Sequence, residues 1–104
     1  RVTDKHLCII ARVPGCGCII DQMPVQPIFP TNSTTEENRI KSAINSMVSR
    51  NLYIEMVIHD NFRDSRTECH HKKRDEHITM PSAEAIRRGD EVYKAIQVMR
   101  ALAS

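Results

Sequence analysis

The stretch His6-Leu7-Cys8-Ile9-Ile10-Ala11-Arg12-Val13-Pro14-Gly15-Cys16-Gly17-Cys18-Ile19-Ile20 decides how this chain folds. From His6 to Val13 the residues alternate as a strand. Leu7, Ile9, Ala11 and Val13 share one face; His6, Cys8, Ile10 and Arg12 share the other. Pro14-Gly15 is a turn signal, because Pro presets φ and Gly accepts a positive φ without steric penalty. Cys18-Ile19-Ile20 then reads as a short returning strand. The unit predicted is a β-hairpin with Cys16 and Cys18 at its tip.

Downstream, Pro24, Pro27 and Pro30 stand at three-residue spacing, which forbids an interior helix. Residues 21–33 therefore read as an extended, polyproline-like connector. Ser33 and Thr34 each precede a Glu by three residues (Glu36 and Glu37), so either can form a capping box. Ile40, Ala43, Ile44, Met47 and Val48 follow at helical spacing. With Arg50 in the last turn and Asn51 able to take the left-handed conformation, the helix is predicted from Thr35 to Arg50.

Leu52 to Ile58 alternates again as a strand, with Leu52, Ile54, Met56 and Ile58 on one side and Tyr53, Glu55 and Val57 on the other. Residues 59–80 have no apolar period and read as a loop. Residues 82–103 read as a C-terminal helix whose stripe holds Val92, Tyr93, Ile96, Met99 and Leu102, with an interruption expected at Gly89-Asp90. The fold class is α+β: hairpin, helix, third strand and C-terminal helix.

Size and composition set bounds on this picture. At 104 residues the chain is read as one domain, 1–104. It has no Trp, two Phe and two Tyr, so Ile, Val, Leu and Met must fill the interior. A core of that kind benefits from a staple. The formal net charge of +2 is too weak to argue nucleic-acid binding by itself, and no apolar run is long enough to cross a membrane as a helix. The opening Arg1-Val2-Thr3-Asp4-Lys5-His6 lacks the apolar stretch of a signal peptide, which leads to the expectation of a reducing, cytoplasmic setting.

In such a setting a Cys/His cluster reads first as metal-binding or redox-active. Cys16 and Cys18, one Gly apart, can both face one ion if Gly17 folds the backbone sharply. Cys69 with His71 would complete a tetrahedral shell of structural zinc, a borderline-soft ion suited to thiolate and imidazole. His70 is an equivalent candidate for the fourth place. Simple reduced thiols are the alternative, with Cys8 as a small buried hydrophobe. A dithiol redox pair at Cys16 and Cys18 has no cation or helix start beside it to lower a thiol pKa. His59-Asp60 with Cys69-His70-His71 would be the raw material of a nucleophilic site, but no recognised catalytic motif accompanies it.

The strand Leu7 to Ala11, the Cys16-Gly17-Cys18 opening, the helix, the next strand and the later Cys69-x-His71 pair resemble small uncharacterised phage and bacterial proteins with a strand-Cys-Gly-Cys-strand start and a later Cys/His pair. The resemblance covers about residues 6–71 and implies zinc and a phage or prokaryotic origin. The Pro-rich segment and the long C-terminal helix depart from it.

Two functional classes are expected from these readings. The first is a non-enzymatic, zinc-stapled interaction module, of the adaptor or inhibitor kind, that binds a protein partner. Its interface would be the C-terminal stripe at Val92, Tyr93, Ile96, Met99 and Leu102, covered by a second copy of the chain in self-association or by a different protein. One helix already claims a face of the sheet, and Tyr53, Glu55 and Val57 are a poor apolar floor for a second. The alternative is a nucleic-acid-binding protein working through Arg63, Arg66, Lys72, Lys73 and Arg74.

Overall fold

A computed structural model describes residues 6–15, 17–25, 34–59, 66 and 80–103. The elements are β1 (His6–Arg12), β2 (Ile19–Pro24), α1 (Thr34–Ser49), β3 (Tyr53–His59) and α2 (Ala83–Ala103). They form an α+β arrangement: an antiparallel sheet in the order β2-β1-β3 with two helices packed against it.

β1 is the central strand, and Leu7 through Ala11 are all buried. Register places Leu7 opposite Ile58, Ile9 between Met23 and Met56, and Ala11 between Asp21 and Ile54. The alternation predicted for β1 therefore holds: Leu7, Ile9 and Ala11 enter the core beneath the helices with Ile54. Cys8 and Ile10, on the opposite face, are buried as well.

β2 departs from the sequence reading. It begins at Ile19 and runs on through Asp21, Gln22 and Met23 to Pro24, so residues 21–24 are strand, not connector. Pro24 is tolerated because β2 is an edge strand, where a missing N–H removes no ladder bond on the open side. A bulge skips Ile20 between the Ala11–Asp21 and Arg12–Ile19 pairs, and Ile20 packs against the core. Residues 26–33, with Pro27 and Pro30, lie outside the described residues, as does all of the predicted loop up to residue 79 except His59 and Arg66.

α1 starts and stops within one residue of its predicted bounds. It ends in a Schellman motif: the Asn51 N–H donates to the Val48 carbonyl at 2.9 Å and the Leu52 N–H to the Met47 carbonyl at 3.1 Å. Asn51 takes φ 58°, the left-handed value this motif requires. Met47 and Leu52, both buried, supply the accompanying apolar contact.

α2 is one continuous helix of 21 residues, without the interruption expected at Gly89-Asp90. Gly89 is instead the point where α2 approaches α1. A Cβ at this position would stand 2.6 Å from Val48 Cγ2 and 3.4 Å from Ile44 Cγ2. The missing side chain lets both helices lie side by side on the same face of the sheet. Ile40, Ile44 and Met47 of α1 join Val92 and Ile96 of α2 in one core with Leu7, Ile9, Ala11 and Ile54. The assumption that one helix would exhaust a sheet face is thereby corrected.

Candidate functional site

Three chain reversals meet at one end of the sheet and enclose a cleft of about 370 Å³, within the usual range of small-ligand sites. The first is the β1–β2 turn. Gly15 and Gly17 adopt φ of 89° and 79°, values that favour glycine. The Gly17 N–H donates to the Val13 carbonyl at 3.0 Å and the Val13 N–H to the Cys18 carbonyl at 2.9 Å. Gly17 thus supplies a sharp fold just before Cys18, while Cys16 lies outside the described residues. The second reversal is the Schellman turn at Asn51 and Leu52.

The third is the start of α2. The Ser82 hydroxyl accepts the Ala85 N–H at 3.1 Å as an N-cap. Asn51 Oδ1 accepts both the Ser82 N–H, at 3.2 Å, and the Ser82 hydroxyl, at 2.9 Å. One side chain therefore ties the end of α1 to the beginning of α2.

Val13, Pro14, Leu52 and Ala85 make much of the cleft wall apolar, and two guanidiniums interrupt it. Arg12 donates through Nε to Glu55 Oε1 at 3.1 Å and through Nη1 to the Gly17 carbonyl at 3.1 Å. Arg88 donates through Nε to the Ile54 carbonyl at 2.8 Å and faces Glu91 at 3.5 Å through Nη1. Its guanidinium also lies 4.6 Å from the centre of the Tyr53 ring, a cation–π distance. Tyr53 is the residue paired with Arg12 across β1 and β3. Nη2 of each arginine makes no hydrogen bond among the described residues. Glu84, the carboxylate in the wall, is engaged by Arg87 at 2.5 Å.

Of the predicted zinc ligands, only Cys18 is among the described residues; Cys16, Cys69 and His71 lie outside them. Cys18 is half-buried and forms no disulfide with another described residue. No group of three or more His, Cys, Asp or Glu among the described residues is placed to hold a metal ion. Cys8 is a buried free thiol; burial pushes its pKa up, and Gln22, whose Nε2 lies 3.8 Å from Sγ, pulls the other way. Arg63, Lys72, Lys73 and Arg74 lie outside the described residues, while Arg66 is exposed.

The C-terminal stripe is divided. Val92 and Ile96 are buried in the chain's own core, and Tyr93 and Met99 pack against its margin. Leu102 alone of the five stands open, at 65% exposure. No helix among the described residues is long and apolar enough to cross a membrane.

Arg12, Tyr53 and Arg88 were not selected as site residues from sequence. A lone Arg at the end of an apolar strand is the one local signal; the rest depends on strand register and on where α2 starts.

No protein-family model matches the chain, and no curated protein or solved structure matches it either.

Proposed function

We propose that this chain is a non-enzymatic interaction module that binds a protein partner in the cleft between the β1–β2 turn, the α1–β3 turn and the start of α2. The observation that carries this reading is the cleft itself: apolar walls with a few fixed polar groups, the composition of a binding pocket. Its polar side chains are already held in static bonds, Ser82 as a cap and the arginines by backbone carbonyls and carboxylates. Groups held in this way are suited to orienting a ligand.

A structural zinc at Cys16, Cys18, Cys69 and His71 remains part of the proposal. It is supported by the left-handed Gly17, which turns the backbone sharply just before the half-buried Cys18. Elemental analysis of purified protein is expected to return about one zinc per chain, with stability lost on chelation. Metal-free protein that is folded and indifferent to chelator rejects the staple.

Site-specific photocrosslinking tests the interaction reading. The crosslinker replaces Glu84, in the cleft wall, or Leu102, 18 residues along the same helix and roughly 27 Å away at the usual helical rise. Protein crosslinks from position 84 and not from 102 are expected. Crosslinks confined to 102 would move the interface to the end of α2. Nuclease-sensitive crosslinks whose yield falls steeply with salt would favour the nucleic-acid alternative.

A further inference from the structure

We propose that the cleft recognises an acidic peptide segment of the partner, receiving a side-chain carboxylate between Arg12 and Arg88 while a neighbouring apolar residue rests on Pro14 and Tyr53. The inference rests on the interaction reading above and names the chemistry that the cleft selects.

Charge complementarity is the first support. Both guanidiniums are partly withdrawn from solvent, Arg12 at 35% and Arg88 at 27% side-chain exposure. Each is oriented by bonds that leave Nη2 unspent among the described residues. A guanidinium fixed through Nε and lacking a partner on Nη2 is a preformed donor for a carboxylate oxygen. Holding it in place beforehand removes rotamer entropy that binding would otherwise have to supply.

Among the described residues the counter-charges at the cleft have other partners or other nitrogens. Glu55 meets Arg12 through Nε, Glu91 lies at 3.5 Å from Arg88 Nη1, and Glu84 is turned to Arg87. None of the three bonds to Nη2 of Arg12 or Arg88, so an incoming carboxylate displaces no contact that the described residues make there.

The second support is the rest of the wall. A small inorganic anion would leave Pro14 and the Tyr53 ring, the exposed apolar parts of the wall, facing water. About 370 Å³ is roughly the share of twelve liquid waters, room for an aliphatic side chain beside the carboxylate. A segment with Glu or Asp next to Leu, Ile or Val satisfies both halves of the cleft.

The test uses the full chain and two capped peptides, Ac-Ala-Leu-Glu-Leu-Ala-NH2 and its Gln counterpart, in which the Glu side chain is the one carboxylate. Binding is followed by backbone amide and arginine Nε–H resonances. The Glu peptide is expected to shift the Arg12 and Arg88 Nε–H signals saturably, with the Gln peptide about tenfold weaker, as befits loss of a charge-assisted bond. Arg88→Lys, which keeps the charge and loses the planar fork, should weaken the Glu peptide and leave the Gln peptide unchanged.

Equal affinity for the two peptides would overturn acid recognition while leaving a protein-binding cleft. So would binding that leaves both arginine signals in place. If neither peptide binds at millimolar concentration and an oligonucleotide or inorganic phosphate moves those signals instead, both the inference and the interaction reading fall. The matched peptide pair needs no mutant, so a variant that failed to fold would not rescue the idea.

Discussion

Replacing Gly89 with Ala is the sharpest probe of how the two helices share one sheet face. In an exposed helix interior this change stabilises by about 1 kcal/mol, because Ala is the better helix former. Here the added Cβ would meet Val48 Cγ2 at 2.6 Å, with Ile44 Cγ2 at 3.4 Å and Ile54 Cδ1 at 3.9 Å behind it. Val48 cannot swing away cheaply, since a β-branched side chain in a helix is held to one dominant rotamer. Either α1 and α2 separate or Val48 leaves its well, and overpacking of this kind costs about 1–3 kcal/mol. Setting the helix gain of about 1 kcal/mol against that cost leaves Gly89→Ala destabilising by about 1 kcal/mol. The background Val48→Ala removes the clashing methyl. In it the same substitution should stabilise by about 1 kcal/mol, so the sign reverses and the coupling between the sites is about 2 kcal/mol. Urea unfolding followed by far-ultraviolet circular dichroism resolves this, because at a slope of about 1 kcal/mol per molar each change moves the midpoint by roughly 1 M. Stabilisation by Gly89→Ala in the wild-type background would refute the close approach.

Three further outcomes follow from the geometry. The Tyr93 hydroxyl donates to Glu37 Oε1 at 2.6 Å; that bond first, and Lys41 second, hold the Glu37 carboxyl below its usual range, while burial first and Glu37 second push the Tyr93 phenol up. Glu37 contributes stability above the ordinary carboxylate pKa and loses it as pH falls through the depressed value; Tyr93 contributes below about pH 10 and loses it as pH rises through the raised one. The melting-temperature deficit of Tyr93→Phe should therefore be greatest near neutrality and shrink at both extremes, and a deficit independent of pH would exclude the pair. Asn51→Gly keeps the left-handed turn and loses the Ser82 bonds, costing about 1 kcal/mol; Asn51→Ala adds backbone strain of about 1 kcal/mol more, so Gly should be the milder variant in the same unfolding assay. Deleting residues 90–104 removes Val92 and Ile96 from the core, losses of about 2–5 kcal/mol for a large aliphatic residue against a total of about 5–15, and should abolish cooperative unfolding.

Much of the fold is local and therefore legible in the residues. α1 is specified at both ends, by acidic residues in its first turn and by Asn51, which alone can enter the left-handed region cheaply just after Val48. β1 and β3 carry a two-residue alternation that has no helical counterpart. β2 was truncated in the sequence reading because Pro24 signals a break, and only the strand order reveals that it sits on an edge, where that signal carries little weight. Gly89 illustrates the same limit from the other side. Within a helix Gly reads as a weak point, yet the contact with Val48 makes it a packing position. An apolar stripe states which side of a helix is buried and is silent about which sheet face receives it. For this reason the C-terminal stripe read as a surface for a partner, while Val92 and Ile96 close the chain's own core.

The cleft was illegible for a different reason: its parts are far apart in sequence and each has an ordinary local explanation. Gly15 and Gly17 belong to a hairpin turn, Asn51 to a helix end, Ser82 to a helix start, and Arg12 to the tip of a strand. Their meeting follows from the register of β1 on β3, which sets Tyr53 beside Arg12, and from the Asn51–Ser82 bonds, which bring Arg88 over that ring. Three residues of the wall or its hinge, Gly15, Gly17 and Asn51, occupy left-handed conformations; backbone hydrogen bonds hold the turns at Gly17 and Asn51, and Asn51 also accepts from Ser82. A cleft assembled from such turns is formed before any ligand arrives. Its polar donors are aimed by the same bonds that stabilise the fold, so little ordering is left for binding to supply. Specificity in this protein would then reside in turn geometry, and substitutions at Asn51 should weaken peptide binding as well as stability, although Asn51 itself donates nothing to the proposed carboxylate.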